Sequence, residues 1–340
     1  MIEGLKKKTV FNSLIWLTAS ILIILTVLEL PISSMLQRMH AVSFSAWIIL
    51  LLVNLVILFL AVKRWQILSQ IFGVEISFVR LFIIRQAGST FSFLTPGPQF
   101  GGEPLQVYWL NHGQGVPLND TIAFIGLDRF MEIFINFSFL FLCILFVLRR
   151  NIEADLSNAI FFVFLSLICL ITLFSFFFYK HRFIVSALFS LYRKVVQKAS
   201  DKNQEHRIIT SIDAIFSKIE KEKLRVWFAI VIGAFGWLAL IFELYFIMSA
   251  LNLAPDLYEI VFVMLGIRIA LLMPIPGGVG TIETSLIWSF GVLGFSLVGA
   301  GGVIALSRIR DVIILILGAG CLFYLSSPNS RQKNFSERSQ

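Results

Sequence analysis

Apolar runs of about 20 residues recur along the whole chain, and no other feature narrows its possible folds so far. A run of that length crosses the ~30 Å hydrocarbon core of a bilayer as an α-helix. In lipid every backbone N–H and C=O must be satisfied from within the protein, so only helices and closed barrels span. The alternating pattern of a membrane barrel is absent. Charged residues make up 14% of the chain, well below the ~25% usual for soluble domains. The chain therefore reads as an all-α polytopic membrane protein.

The spans are expected at about 11–30, 44–62, 118–148, 158–179, 226–250 and 303–324. Lys6, Lys7 and Lys8 precede the first. Its apolar core is longer than that of a cleaved signal peptide, so it reads as a retained helix. Lys63-Arg64-Trp65 follows the second span and has the composition of a basic-aromatic interface anchor. Gly299, Gly301 and Gly302 suggest a turn before the last.

Two glycine-proline breaks interrupt this pattern. The first runs from Thr95-Pro96-Gly97-Pro98 through Gly101-Gly102-Glu103-Pro104, and the second from Pro274-Ile275-Pro276-Gly277-Gly278-Val279-Gly280 to Glu283. Each follows an apolar stretch, and each is read as the tip of a re-entrant helical hairpin, around 76–110 and 257–299. Six spans and two such hairpins put both termini in the cytoplasm. Nineteen Lys and Arg then fall on cytoplasmic segments and three (Arg38, Arg149, Arg150) outside, a clear positive-inside bias. The hairpins enter from opposite faces, as an inverted-topology repeat requires. Offsets of 180 residues (Leu68 to Met248), 176 (Gly101 to Gly277) and 179 (Arg129 to Arg308) support a duplication.

The organisation expected is a cytoplasmic N-terminus at 1–10, a first membrane half at 11–179, a basic segment at 180–225, a second half at 226–324 and a cytoplasmic tail at 325–340. The basic segment holds eleven Lys/Arg and five Asp/Glu. Its isoleucines at 208, 209, 212, 215 and 219 recur at helical spacing, as in an amphipathic helix lying on the membrane surface.

Freed backbone groups at depth are tolerated where protein or a watery cavity satisfies them. Both breaks are therefore expected to line a cavity near mid-membrane. Intramembrane charges cost at least ~2.5 kcal/mol on insertion scales, so they gather at such sites and pair. The candidate substrate-binding set is Gly101, Gly102, Glu103, Asp128, Arg129, Glu132, Arg268, Gly277, Gly278, Gly280, Glu283 and Arg308. Arginine grips phosphate through two parallel hydrogen bonds. Asp128, Arg129 and Glu132 form an i, i+3/i+4 group on one helix, with Arg308, Arg310 and Asp311 as its counterpart. Arg80 and Arg310 fit helix ends, where they would snorkel to the interface. Cys143, Cys169 and Cys321 lie in apolar runs and the four histidines are scattered, so no metal set, cofactor motif or catalytic constellation is expected. Basic residues flank the spans and form no separate domain, which argues against nucleic acid as a partner.

Arg64-Trp65, the Pro96-Gly97…Gly101-Gly102-Glu103 break, Asp128-Arg129 and Pro274-Ile275-Pro276-Gly277-Gly278-Val279-Gly280…Glu283 resemble the lysylphosphatidylglycerol synthase transmembrane-region family. That resemblance covers about residues 10–325. It implies a flippase-like domain, here without the soluble domain that makes the aminoacyl lipid. The implied partners are membrane lipids: an anionic or aminoacylated phospholipid, a glycolipid or an isoprenoid lipid. Gln106 stands where many relatives have arginine. The expectation is a non-enzymatic lipid flippase or lipid-linked-substrate transporter of the bacterial inner membrane. The alternative is a non-transporting scaffold for a lipid-modifying enzyme.

Overall fold

The computed structural model describes residues 42–95, 101–151, 215–273 and 275–327. Among these the structure is helical: α1 (Phe44–Ile71), α2 (Phe78–Leu94), α3 (Glu103–Tyr108), a π-turn (Trp109–Gly113), α4 (Leu118–Asn151), α5 (Lys223–Ala250), α6 (Leu257–Ala270), a 3₁₀ turn (Pro276–Gly278), α7 (Thr281–Leu293) and α8 (Leu297–Ser326). Four of them, α1, α4, α5 and α8, are long and apolar enough to cross a membrane. The spans expected at 11–30 and 158–179 lie outside the described residues, as do both terminal segments. This is a polytopic membrane protein. Leu51, Leu52, Leu55 and Phe59 on α1 are exposed, which suits a helix face solvated by lipid chains.

Local chemistry explains where these helices begin and end. Ser43 caps α1, accepting the Ala46 N–H. Thr95 is extended, as a residue before proline must be, and that stops α2. Pro104 falls in the first turn of α3, where its missing N–H costs nothing. Asp256 and Glu259 close a reciprocal capping box on α6. Gly280 has φ +86°, open to glycine and strained for other residues, and α7 starts from it.

Two hairpins stand where the breaks predicted them. In the first, α2 leads through the break to α3, which packs back on it; in the second, α6 and α7 pack on each other across the 3₁₀ turn. At 17, 14 and 13 residues, α2, α6 and α7 reach only about 26, 21 and 20 Å, short of a full crossing.

The packing is that of a two-fold repeat. Exchanging α1–α4 for α5–α8 turns most contacts into other contacts. The most extensive, α1 with α5, maps onto itself. The first hairpin's α2 packs on α8 of the other half, and the second hairpin's α6 packs on α4 of the first. The α4–α5 contact is the exception, because α1 and α8 meet far less. Close approaches need small residues: a Cβ on Gly102 would overlap the Gly88 carbonyl, and one on Gly318 would overlap Thr90.

Three local expectations are corrected. α1 continues to Ile71, so Lys63, Arg64 and Trp65 lie within it, and Arg64 and Trp65 are buried. The positive-inside count therefore loses Arg64. Gly299, Gly301 and Gly302 are buried within α8, packed toward Leu251 and Leu253; the chain turns earlier, at Gly294 (φ +77°). Finally, the described end of the amphipathic segment, 215–221, docks on protein: Ile219 is buried with Phe72 and Phe124, and Lys218 reaches Asp120 at 2.6 Å. Residues 180–214 of that segment lie outside the described residues, and its last three begin α5.

Candidate functional site

A cavity of about 420 Å³ lies between α1, α2, α4, α5 and α6. Its polar lining is Arg64, Arg85, Arg129, Arg268, Glu132 and Asn136, with Trp237 beside them. The rest is aliphatic or aromatic, including exposed Phe137 and Leu272. The cavity thus combines a cluster of arginines with an apolar lining that includes exposed side chains. The volume falls within the ~300–1,000 Å³ usual for ligand pockets.

Each arginine is held differently. The Arg64 guanidinium donates to Asp128 at 2.8 Å, and Trp65 Nε1 donates to the other oxygen of Asp128 at 2.7 Å. Arg129 donates to Glu132, three residues on, and meets Glu103 at 2.8 Å. The second Glu103 oxygen accepts the Gly101 N–H at 2.7 Å, which ties the first break to α4. Arg85 lies 5.9 Å from the Trp65 ring and 3.7 Å from Glu132. Arg268 sits 4.2 Å from the Trp237 ring centroid. No carboxylate among the described residues lies within salt-bridge distance of it, and its buried Nε lacks a hydrogen-bond partner among them.

A second cluster mirrors the first. Glu283 accepts the Gly280 N–H at 2.8 Å and the Arg308 Nε at 2.6 Å. Arg308 also meets Asp311, three residues on, at 3.0 Å, and turns Nη1 toward the Gly277 carbonyl at 3.4 Å. Break, glutamate, arginine and i+3 acid thus recur in both halves: Gly101–Glu103–Arg129–Glu132 and Gly280–Glu283–Arg308–Asp311. Arg310 is not at an interface as expected. It pairs with buried Glu243 at 2.9 Å, whose other oxygen accepts from Asn54. A smaller apolar pocket of about 110 Å³, between α1, α5 and α8, is lined by this trio.

Of the twelve candidates, Arg129, Glu132 and Arg268 line the large cavity, and Asp128 and Glu103 brace its arginines from behind. Glu283, Arg308, Gly277, Gly278 and Gly280 form the second cluster, and neither Gly-Gly pair is on the cavity wall. The second break does meet the end of α2, since Gly277 lies against the Phe93 ring. Gln106 is fully buried against Gly88 and faces no cavity. Sequence reasoning passed over Arg64, Arg85, Asn136 and Trp237. Arg85 carried a signal, being an arginine within an apolar stretch; Arg64 was assigned to a loop, and Trp237 and Asn136 carried none.

Comparison with known proteins fits this architecture. The family described as the lysylphosphatidylglycerol synthase TM region matches residues 13–318. The chain belongs to that family, which is a membrane region and not a catalytic domain. A UPF0104 membrane protein of Pyrococcus horikoshii is 26% identical over 274 residues, covering 76% of this chain and 80% of the relative. No solved structure matches.

Proposed function

We propose that the protein moves a phosphate-bearing lipid, or a lipid-linked substrate, between leaflets without hydrolysing a nucleotide. The observation that carries this reading is the large cavity, where arginines from both halves (Arg85 of α2, Arg268 of α6) converge under apolar walls. The headgroup rests on the arginines while the chains stay in contact with the bilayer. Movement of one repeat against the other then exposes the site to alternate faces, as in other transporters built from inverted repeats. The hairpins suit this role, because each packs on a long helix of the opposite half. The membrane is taken to be a bacterial inner membrane with both termini cytoplasmic.

Reconstitution into liposomes with a leaflet-specific assay of labelled lipids tests the proposal. Protein-dependent exchange of an acidic phospholipid is expected. Absence of exchange for acidic, aminoacylated and glycosylated lipids alike would count against transport.

A further inference from the structure

The cavity's charges define which headgroup it takes. Four guanidiniums line it, and three carboxylates (Asp128, Glu132 and Glu103) lie on or directly behind its wall. Each of the six carboxylate oxygens lies within hydrogen-bond or ion-pair distance of a donor, the loosest being Glu132 Oε1 at 3.5 and 3.7 Å from two arginines. Asp128 is held by Arg64 and Trp65, Glu103 by Arg129 and the Gly101 N–H, and Glu132 by Arg129 on one oxygen and Arg64 with Arg85 on the other. One positive charge is left over. It belongs to Arg268, the guanidinium stacked on Trp237 without a carboxylate partner among the described residues. Stacking covers one face of a guanidinium and leaves its N–H edge free for the oxygens of a carboxylate or phosphate.

The second cluster offers no compensating acid. Glu243, Glu283 and Asp311 have both oxygens engaged, by Asn54, Arg308, Arg310 and the Gly280 N–H, and none of the three lines the large cavity. An ammonium group entering the cavity would find, among the described residues, no carboxylate that is not already beside an arginine. It would be a cation brought to a site whose charge is already net positive, which is disfavoured.

We infer that the cavity selects a lipid phosphodiester with a single negative charge and no cationic group, the phosphate resting on Arg268 and a neutral, hydroxyl-bearing head filling the remainder. This rests on the transport reading above and narrows it: aminoacylated and ethanolamine lipids are disfavoured substrates.

The test is exchange in proteoliposomes of three acyl-labelled probes: phosphatidylglycerol, phosphatidylethanolamine and lysyl-phosphatidylglycerol. Phosphatidylglycerol is expected to move at least about tenfold faster than either amine lipid, the scale of one charge-assisted hydrogen bond. Arg268→Gln should lower phosphatidylglycerol exchange by about tenfold or more, and Arg268→Lys by less, with the unfolding temperature in detergent reporting that each variant is folded. Equal exchange of the three lipids, or preference for an amine lipid, overturns the inference and leaves transport standing. Exchange of none overturns the transport reading, and this inference with it. Should Arg268→Gln fail to fold, the three-lipid comparison on the unmodified protein still decides.

Discussion

Arg64 and Glu243 occupy the same position in two partnered helices, each twenty residues past the start of its own. Each crosses to another long helix of its own half: Arg64 to Asp128 of α4, and Glu243 to Arg310 of α8. Place and partner element are shared, but the charges are reversed. An ion pair works in either polarity, so a duplicated fold can keep the joint while exchanging its ends. The reversal also sets the halves apart, with Arg64 on the wall of the large cavity and Glu243 on that of the small one.

Asp128→Asn should be among the most destabilising single changes in the described region. It leaves Arg64 buried, 7% exposed in its side chain, without its main counter-charge. Breaking a buried pair costs about 3–5 kcal/mol. Thermal unfolding in detergent should show a large drop. Exchanging the pair (Arg64→Asp with Asp128→Arg) should not restore stability, because the Trp65 indole N–H would face a guanidinium instead of an acceptor.

The Glu243–Arg310 joint should behave differently when both ends are removed. Glu243→Gln alone leaves Arg310 with only Asp311 and should lower the unfolding temperature. The double change Glu243→Leu with Arg310→Met fills the same space with apolar atoms beside a pocket already lined by Leu50, Leu306 and Ile313. Such replacements are often neutral or stabilising, so the double variant should unfold at or above the temperature of the single one. If it unfolds lower, the pair is more than a packing joint.

Glycine positions in the helices divide cleanly. Gly318→Ala in α8 would drive a methyl into the Thr90 side chain and the Gln86 carbonyl of α2, separating the first hairpin from the helix it rides on. A cost of about 1–3 kcal/mol is expected, the range for overpacking. Gly126→Ala in α4 meets nothing within 4 Å. It should be neutral or gain up to about 1 kcal/mol of helix preference. Paired melts of the two variants check both.

These contrasts bear on how far the sequence could be read. Helix existence was legible because spans must be long, apolar and capped: Asp256 with Glu259, Pro104 in a first turn and Thr95 before Pro96 are local signals that survived folding. The breaks were legible for the same reason. Arg64 was not, since a basic-aromatic triplet after an apolar run has the composition of an interface anchor; its burial depends on Asp128, sixty-four residues away. Gly299 and Gly302 looked like a turn because glycine serves turns and tight helix contacts alike, and only Leu251 and Leu253 decide between them. The Arg268–Trp237 stack joins two helices with no shared spacing, so no local pattern announces it.

Glu103 and Glu283 make the final contrast. Each caps a break N–H and holds an arginine, and both were prime candidates from sequence. Glu103→Gln keeps an oxygen for the Gly101 N–H but discharges the partner of Arg129, which lines the cavity. The cavity gains positive charge, so an acidic lipid should bind more tightly and leave more slowly. Glu283→Gln keeps the corresponding oxygen for Gly280 and discharges the partner of Arg308, which lies off the cavity wall. Its effect should fall on stability, at about 2–4 kcal/mol for a half-buried pair broken at one end. Lipid binding and thermal melts on the two variants should therefore move in opposite patterns: affinity up with a modest loss of stability for Glu103→Gln, and affinity unchanged with a large loss for Glu283→Gln. An equal rise in affinity for both would place the second cluster in contact with the headgroup as well.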